Sequence, residues 1–148
     1  ARAQAIGGDG VEYRVATATD LPFEDGTFSR VLSVEALYYV PEIEKALSET
    51  HRVCAPEGRF LCVVDLFKDN PPSLRWIENF DFPMHAFSAE EYKALFRSAG
   101  FRSVETALLR DRRPIPSRAE YTDSPFFESY DAFVDFKRIG SLLIDASA

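Results

Sequence analysis

The pattern of apolar and polar residues predicts alternating strands and helices over the first half of the chain. Residues 11–16 alternate apolar side chains with charged ones, which is typical of a strand with one face in solvent. Residues 31–34 and 60–65 are short, almost continuous apolar runs, which favour strands covered on both faces. Between them, apolar side chains at helical spacing over 42–54 predict an amphipathic helix. This order predicts that all three strands are parallel and that the helix crosses over between the last two.

The second half begins with a long connection, 67–86, that is rich in aromatic residues. Connections of this length in a compact domain commonly serve as lids or binding loops. Ser88 and Glu91 then have the spacing of a capping box. We therefore expect a helix that begins directly after Ser88 and ends at Gly100.

Five further segments complete the predicted secondary structure. Residues 103–109 favour a strand because of their apolar and β-branched content. The apolar stretch 141–144 predicts a strand that pairs with it. Helices are expected over 127–137 and, as a short element, over 73–79, and residues 1–6 favour the end of a helix.

Length and charge limit the kinds of protein this chain can be. It has 148 residues, 46% hydrophobic and 28% charged, which is the composition of one globular domain. Seventeen Lys and Arg residues against 24 Asp and Glu residues give a formal net charge of −7. Because such a chain has no overall field that attracts polyanions, we expect neither nucleic acid nor a membrane as its partner.

The two cysteines, Cys54 and Cys62, favour a reducing compartment. Cys62 lies in an apolar run and Cys54 ends an amphipathic one, so both are expected to be core thiols. Neither has a histidine at metal-ligand spacing, and we expect no metal site. No apolar stretch approaches the ~20 residues that span a bilayer. Together these features predict a cytoplasmic protein.

Several motifs in a fixed order resemble those of one family. Residues 17–23 read Thr-Ala-Thr-Asp-Leu-Pro-Phe, and the run 28–41 ends in Leu-Tyr-Tyr-Val-Pro. Residues 46–60 contain Ala-Leu-Ser-Glu, Arg-Val and Pro-Glu-Gly, and 87–101 ends in Ala-Gly-Phe. In this order and spacing, the motifs resemble the second half of a class I S-adenosylmethionine-dependent methyltransferase of the group that acts on small molecules.

The resemblance implies an α/β, Rossmann-like methyltransferase fold, a seven-stranded sheet with helices on both faces. Aligned on the motifs, the chain starts in the helix after the family's second strand. We therefore expect 1–148 to be a single, partial domain without the first two strands, the glycine-rich cofactor loop and the acidic residue that holds the ribose. The absent strands belong between 11–16 and 31–34. A longer polypeptide or another chain would supply them, unless the fold rearranges. A homodimer is the other partner that we expect.

S-adenosylmethionine is the cofactor that the resemblance implies. Thr17 and Ala18 correspond to the adenine side of its site, where the family usually has Asp in place of Thr17. Ser33, Val34 and Glu35 end a strand at the carboxyl edge of the sheet, so the resemblance places them near the cofactor as well.

Tyr38, Tyr39 and Asp65 are the candidate catalytic residues. Either tyrosine would orient or deprotonate a hydroxyl acceptor, or both rings would pack as an aromatic lid. Asp65 ends the strand at 60–64, where it would accept a proton or a hydrogen bond, or cap a helix. We expect the three side chains to face one cavity, with 67–86 as the lid over the acceptor site.

The sequence thus predicts methyl transfer from S-adenosylmethionine to a small-molecule acceptor, with oxygen as the candidate acceptor atom. The alternative is a truncated, non-catalytic remnant of a methyltransferase that acts as an interaction module. The glycine-rich loop distinguishes the two, because it holds the methionine part of the cofactor.

Overall fold

The fold is a four-stranded mixed sheet with helices packed against it, seen in a computed structural model that describes residues 10–148. In chain order the elements are β1 (Phe28–Val34), α1 (Ile43–Val53), β2 (Cys54–Val64), α2 (Arg75–Asn79), α3 (Ala89–Ser98), β3 (Ser103–Leu109), α4 (Tyr130–Ile139) and β4 (Ser141–Ser147). Short 3₁₀ turns cover Leu37–Tyr39 and Pro71–Leu74. The helix end expected at 1–6 lies outside the described residues.

The sheet has the order β1-β2-β4-β3. β1 and β2 are parallel, with Val31 opposite Phe60 and Val34 opposite Val63, and α1 connects them. This confirms the predicted strand–helix–strand unit. β4 runs antiparallel to both β2 and β3, so the predicted pairing of 141–144 with 103–109 is also confirmed.

The prediction of a strand at 11–16 is wrong for the part of the chain that the structure describes. This segment forms no ladder; an isolated bridge between Thr17 and Asp20 follows it, and Val15 is fully exposed. The physical reason is the lack of a neighbour, because a strand needs a partner for its backbone groups. Among residues 10–148, no strand lies beyond β1 to provide one.

The core lies between the sheet and the two helices α1 and α3. Phe60 of β2 stacks on Phe96 of α3 with 5.3 Å between ring centroids, and Leu47 of α1 is fully buried. The face of β1 that points away from this core is exposed to solvent, since Leu32 and Val34 are 67% and 54% exposed. The expectation that 31–34 is covered on both faces therefore fails for the described residues.

Local capping sets where the later helices begin. Ser88 Oγ accepts the Glu91 N–H at 3.2 Å while the Glu91 carboxylate accepts the Ser88 N–H at 2.7 Å, which confirms the predicted capping box. Ser129 caps α4 with its side chain alone, by accepting the Ala132 N–H. This cap explains why α4 starts at Tyr130, later than the predicted 127. The predicted element at 73–79 is a 3₁₀ turn that continues into α2.

Gly140 makes the turn between α4 and β4 possible. Its φ of 88° and ψ of −171° lie in a region that only glycine adopts without strain. A Cβ at this position would also overlap the carbonyl oxygen of Leu109. The turn therefore brings the end of α4 against the end of β3.

We expect Gly140→Ala to lower the free energy of unfolding by about 2 kcal/mol or more, because it combines backbone strain with a steric overlap. Chemical denaturation monitored by circular dichroism measures this. Gly10→Ala is the matched control, since Gly10 also has a positive φ, 92°, but a Cβ added there would meet no atom within 4 Å. Equal losses in the two variants would contradict the proposed overlap.

Candidate functional site

A carboxylate joins the ends of the two parallel strands. Glu35 directly follows β1, and its N–H donates to the carbonyl oxygen of Val63 at 3.0 Å. One of its carboxylate oxygens accepts the Asp65 N–H at 2.7 Å, and the other accepts the Tyr38 hydroxyl at 2.8 Å. Glu35 has a φ of 52°, an unusual conformation for a residue with a side chain. These contacts form the Glu35 bridge, which fixes the relative positions of the residues that follow β1 and β2.

Glu35 and Tyr38 differ in how readily they exchange a proton at neutral pH. Burial, and to a smaller extent the negative charge of Asp65, raise the pKa of Glu35 to about 7. Tyr38 is 2% exposed, and its burial together with its hydrogen bonds raises the pKa of its hydroxyl far above the ordinary value. At neutral pH, Glu35 can therefore gain or lose a proton while Tyr38 stays protonated.

A cavity of about 480 Å³ is lined by Tyr39, the residue that follows Tyr38 of the bridge, and we call it the Thr17 cavity. The turn of Thr17, Ala18 and Thr19 forms one wall, and Tyr39 and Pro41 contribute to the other. The 67–86 connection reaches this region through Phe82, whose ring centroid lies 5.6 Å from that of Tyr39.

Arg52 of α1 holds the segment that follows the Thr17 turn. Its guanidinium donates to the carbonyl oxygens of Leu21 and Phe23 at 3.0 and 2.8 Å, and to the carboxylates of Glu49 and Asp25. Glu49 in turn accepts the Leu21 N–H, and hydrogen bonding from Arg52 is the main cause that lowers the pKa of Glu49 to about 2. The fork of the arginine thus anchors the loop at several points.

Sequence reasoning missed this role of Arg52, although a signal was present. Glu49 and Arg52 both belong to the motif at 46–60, and they lie three positions apart on one helix face. What the spacing did not indicate is that the pair binds a loop almost 30 residues upstream.

A second cavity, of about 320 Å³, lies beyond the other end of the bridge, and we call it the Asp65 cavity. It is lined by Asp65, by the segment that follows β3 and by the α4–β4 turn, which together contribute Leu109, Arg110, Asp111, Arg113, Phe136, Lys137, Gly140 and Ser141. Of its lining residues, sequence reasoning had singled out Asp65 as a site residue.

The three candidate catalytic residues do not face one cavity in the structure described. Tyr39 lines the Thr17 cavity, Asp65 lines the Asp65 cavity, and Tyr38 is buried against Glu35. The cause is the 3₁₀ turn at Leu37–Tyr39, in which successive side chains point about 120° apart. Tyr38 therefore points inward and Tyr39 outward.

The candidate cofactor residues are brought together only in part. Thr17 and Ala18 share a cavity with Tyr39. Ser33 and Val34 lie at the end of β1, opposite Cys62 and Val63 of β2. Glu35 carries the bridge between the strands, a role that its place after a strand did not indicate.

The Thr17 cavity suits the adenine end of S-adenosylmethionine. Adenine is flat and needs an apolar wall together with a few polar groups. Tyr39 and Pro41 contribute apolar surface to the cavity, and Thr17 and Thr19 are polar residues of its lining. For the methionine end the fit is incomplete. Within residues 10–148, no glycine-rich turn connects a strand to the helix that follows it.

The described part of the chain offers neither a metal cluster nor a membrane-spanning helix. Over residues 10–148, no three or more His, Cys, Asp and Glu side chains are grouped as metal ligands would be. No helix in the same range has the length and apolar character needed to cross a membrane.

Comparison with known proteins gives the family. The profile of a family described as "Methyltransferase domain" matches residues 1–62. The chain is 37% identical over 124 residues to the O-methyltransferase resE of Aspergillus sclerotiorum, a match that covers 76% of this chain and 46% of that protein. A ubiquinone/menaquinone biosynthesis C-methyltransferase, UbiE of Brucella canis, is 47% identical over 55 residues, 37% of this chain and 20% of that protein.

Solved structures agree with this result. A putative methyltransferase from Haloferax volcanii, solved in complex with the Trm112 methyltransferase activator, has a TM-score of 0.88 and 32% identity over 99% of this chain and 65% of its own. An S-adenosylmethionine-dependent methyltransferase of Mesorhizobium loti has a TM-score of 0.68 at 18% identity, with 99% of this chain and 74% of that chain covered, and supports the fold.

The chain spans about half the length of the Aspergillus relative, and less than two thirds of the Brucella and Haloferax proteins. Its sheet and the helices around it are a partial version of the Rossmann-like methyltransferase fold. By its sequence motifs, its relatives and its fold, the chain belongs to the class I S-adenosylmethionine-dependent methyltransferases.

Proposed function

We propose that the protein transfers a methyl group from S-adenosylmethionine to a hydroxyl group of a small molecule. The observation that carries this proposal is the Glu35 bridge, because it places a carboxylate with a pKa near 7 at the carboxyl ends of two parallel strands. Glu35 is hydrogen-bonded there to Asp65, which lines one cavity, and to Tyr38, whose neighbour Tyr39 lines the other. The name of the Aspergillus relative, an O-methyltransferase, supports oxygen as the acceptor atom.

In this proposal one cavity binds the cofactor and the other binds the acceptor. When bound, S-adenosylmethionine supplies a methyl group on a positively charged sulfur. Thr17, Ala18 and Tyr39 would hold its adenine end. Asp65, which lines the second cavity, would bind the acceptor hydroxyl, and Glu35, which accepts the Asp65 N–H, would take up its proton, while Tyr38 keeps the Glu35 carboxylate in position. The shared negative charge makes this pair a better base than an isolated carboxylate.

The connection 67–86 acts as the lid in this proposal. Its Phe82 packs near Tyr39, and the N–H of His85 donates to the carbonyl oxygen of Tyr38 at 2.9 Å. Aromatic side chains at this position exclude water from the transfer, which favours charge neutralisation between donor and acceptor.

We also propose that the protein works in the reducing environment of the cytoplasm. Cys54 and Cys62 are both free and buried, and burial raises the pKa of Cys62 to about 12. Such thiols are stable and unreactive under reducing conditions.

The free edge of β1 is the proposed place for a further polypeptide segment. β1 pairs on one side with β2, and among residues 10–148 its other side has no partner. Leu32 and Val34 of the same strand also expose apolar side chains on one face of the sheet. The relatives are longer than this chain, and we propose that the part of the methyltransferase domain that it does not cover adds a strand to this edge. A non-catalytic interaction module would use the same edge.

In a preparation that methylates a phenol or alcohol, we expect Glu35→Gln to lower kcat by about 10²-fold, because the amide cannot take up a proton. The wild-type rate should rise with pH up to about 7, following the ionisation of Glu35, and the variant should lose this rise. Transfer of a radiolabelled methyl group measures both. Glu44→Gln, on the exposed face of α1, is the control and should retain the wild-type profile.

Tyr38→Phe separates a positioning role from a basic one in the same assay. The hydroxyl of Tyr38 lowers the pKa of Glu35, so its removal should move the rise in rate to higher pH while the maximal kcat stays within a few-fold. A loss of about 10²-fold at every pH would make Tyr38 the base. Absence of transfer to any hydroxyl compound by a cofactor-binding preparation would overturn the proposed function.

The raised pKa of Glu35 also predicts a pH-dependent stability that needs no activity. The folded-state pKa exceeds the unfolded one, so the favourable contribution of the protonated carboxyl is complete below pH 4.5 and is lost as the pH rises through about 7. Wild type should therefore lose stability between pH 4 and pH 8, and Glu35→Gln should not. The difference in free energy of unfolding, variant minus wild type, should increase by roughly 1–2 kcal/mol over this range, a value reduced for partial solvent exposure. Urea denaturation at both values measures the gain, which the Glu44→Gln control should lack.

We expect the 148-residue chain alone to bind S-adenosylmethionine more weakly than micromolar, because its described residues provide mainly the adenine end of the site. Isothermal titration calorimetry measures the affinity. Fusion to the part of the Haloferax volcanii homologue that this chain does not cover should raise it. Micromolar binding by the chain alone would contradict the need for a further segment. A fusion that folds without gaining affinity for S-adenosylmethionine would contradict the proposal that this segment adds a strand to the β1 edge.

A further inference from the structure

The Asp65 cavity contains charged groups that the bridge does not use. Asp111 accepts hydrogen bonds from both Arg113, at 2.9 Å, and Lys137, at 2.5 Å. Arg113 and Lys137 together hold the pKa of Asp111 well below its usual range, so this carboxylate stays ionised and compensated. These three side chains form a closed ion network on one side of the cavity.

Arg110 and Asp65 are the two charged residues of the cavity lining that do not belong to this ion network. Among residues 10–148, no carboxylate lies within ion-pair distance of the Arg110 guanidinium, and the carboxylate of Asp65 makes no hydrogen bond. The cavity therefore has a cation with free donors and a carboxylate with free acceptors. The lining carries three positive and two negative groups, which favours an anionic ligand.

The size and lining of the cavity suit a small molecule. Leu109 and Phe136 provide apolar surface, and Gly140 and Ser141 of the α4–β4 turn complete the lining. Its volume of about 320 Å³ is at the lower end of ligand pockets, which matches a single ring with one or two substituents.

We infer that this cavity is the acceptor site and that the acceptor is a small hydroxy carboxylic acid, an inference that rests on the proposed methyl transfer. The carboxylate of the acceptor pairs with Arg110, whose planar guanidinium can donate two parallel hydrogen bonds. The hydroxyl of the acceptor donates to Asp65, which places it next to the Glu35 bridge. Arg113 and Lys137 add positive potential without contacting the hydroxyl.

The transfer balances with these groups alone. The bond between the methyl carbon and the sulfonium sulfur breaks, and a bond from that carbon to the acceptor oxygen forms. The proton of the hydroxyl passes to the carboxylate pair of Glu35 and Asp65, and the sulfur becomes a neutral thioether. The carboxylate of the acceptor stays ionised on Arg110 throughout, so the product is a methoxy carboxylic acid.

The test compares the binding of 4-hydroxybenzoate with that of its methyl ester, which has the same ring and hydroxyl but no charge. Both are titrated into the 148-residue chain, without S-adenosylmethionine, and followed by calorimetry and ligand-observed NMR. We expect the acid to bind at least about tenfold more tightly, the usual size of a charge-assisted hydrogen bond.

Two variants locate the preference. Arg110→Ala, and Arg110→Gln as a second variant of similar size, should lose most of the preference for the acid, keeping only what the potential of Arg113 and Lys137 contributes. Arg97→Ala is the matched control, because Arg97 is an exposed cation on α3 that does not line the cavity, and it should keep the wild-type preference. Asp65→Asn should weaken 4-hydroxybenzoate and leave benzoate, which has no hydroxyl, almost unchanged.

The outcomes distinguish this inference from the proposed function. Equal binding of acid and ester, no binding at millimolar concentration, or equal effects of the Arg110 and Arg97 variants would overturn the acceptor assignment. Methyl transfer to the ester and not to the acid would overturn it as well. A preference that depends on Arg110, found in a cofactor-binding preparation that transfers no methyl group to any hydroxy acid, would overturn the proposed methyl transfer and leave a carboxylate-binding site.

Discussion

The candidate site depends on one carboxylate that connects the ends of two parallel strands. Glu35 follows β1 with a positive φ, and its two oxygens accept hydrogen bonds from the Tyr38 hydroxyl and from the Asp65 N–H. A residue in this conformation is strained, and the surrounding contacts must hold it there. The same burial that holds it raises its pKa to about 7, so the residue that fixes the geometry can also exchange a proton at neutral pH.

The bridge divides the carboxyl edge of the sheet into two environments. The Thr17 cavity has an aromatic wall and a backbone turn, and Arg52 fixes the loop next to that turn. The Asp65 cavity has an unpaired guanidinium at Arg110, among the residues that the structure describes, and apolar walls. Methyl transfer needs a donor and an acceptor that approach a common point from opposite sides with water excluded. Two different cavities, one lined by Asp65 and the other by the residue that follows Tyr38, are a suitable arrangement for such a reaction.

Most of the fold could be predicted from local sequence. The parallel pair β1 and β2, the capping box of α3 and the pairing of β3 with β4 follow from periodicity, capping residues and apolar runs, all of which are properties of neighbouring residues. The strand at 11–16 could not be judged in this way. Its alternation is suitable for a strand, but a strand forms only beside a partner, and the described residues include none at that position.

The sequence by itself determined the family, through motifs whose order and spacing are independent of any contact, and it identified Thr17, Ala18 and Tyr39, which do share a cavity. Only the tertiary structure decided that Tyr38 turns inward to Glu35 and that Arg110 meets Asp65 at one cavity. These contacts depend on the direction of a side chain in a single turn and on the packing of segments far apart in the chain. No periodicity records either of them, because both follow from how the strands and helices assemble.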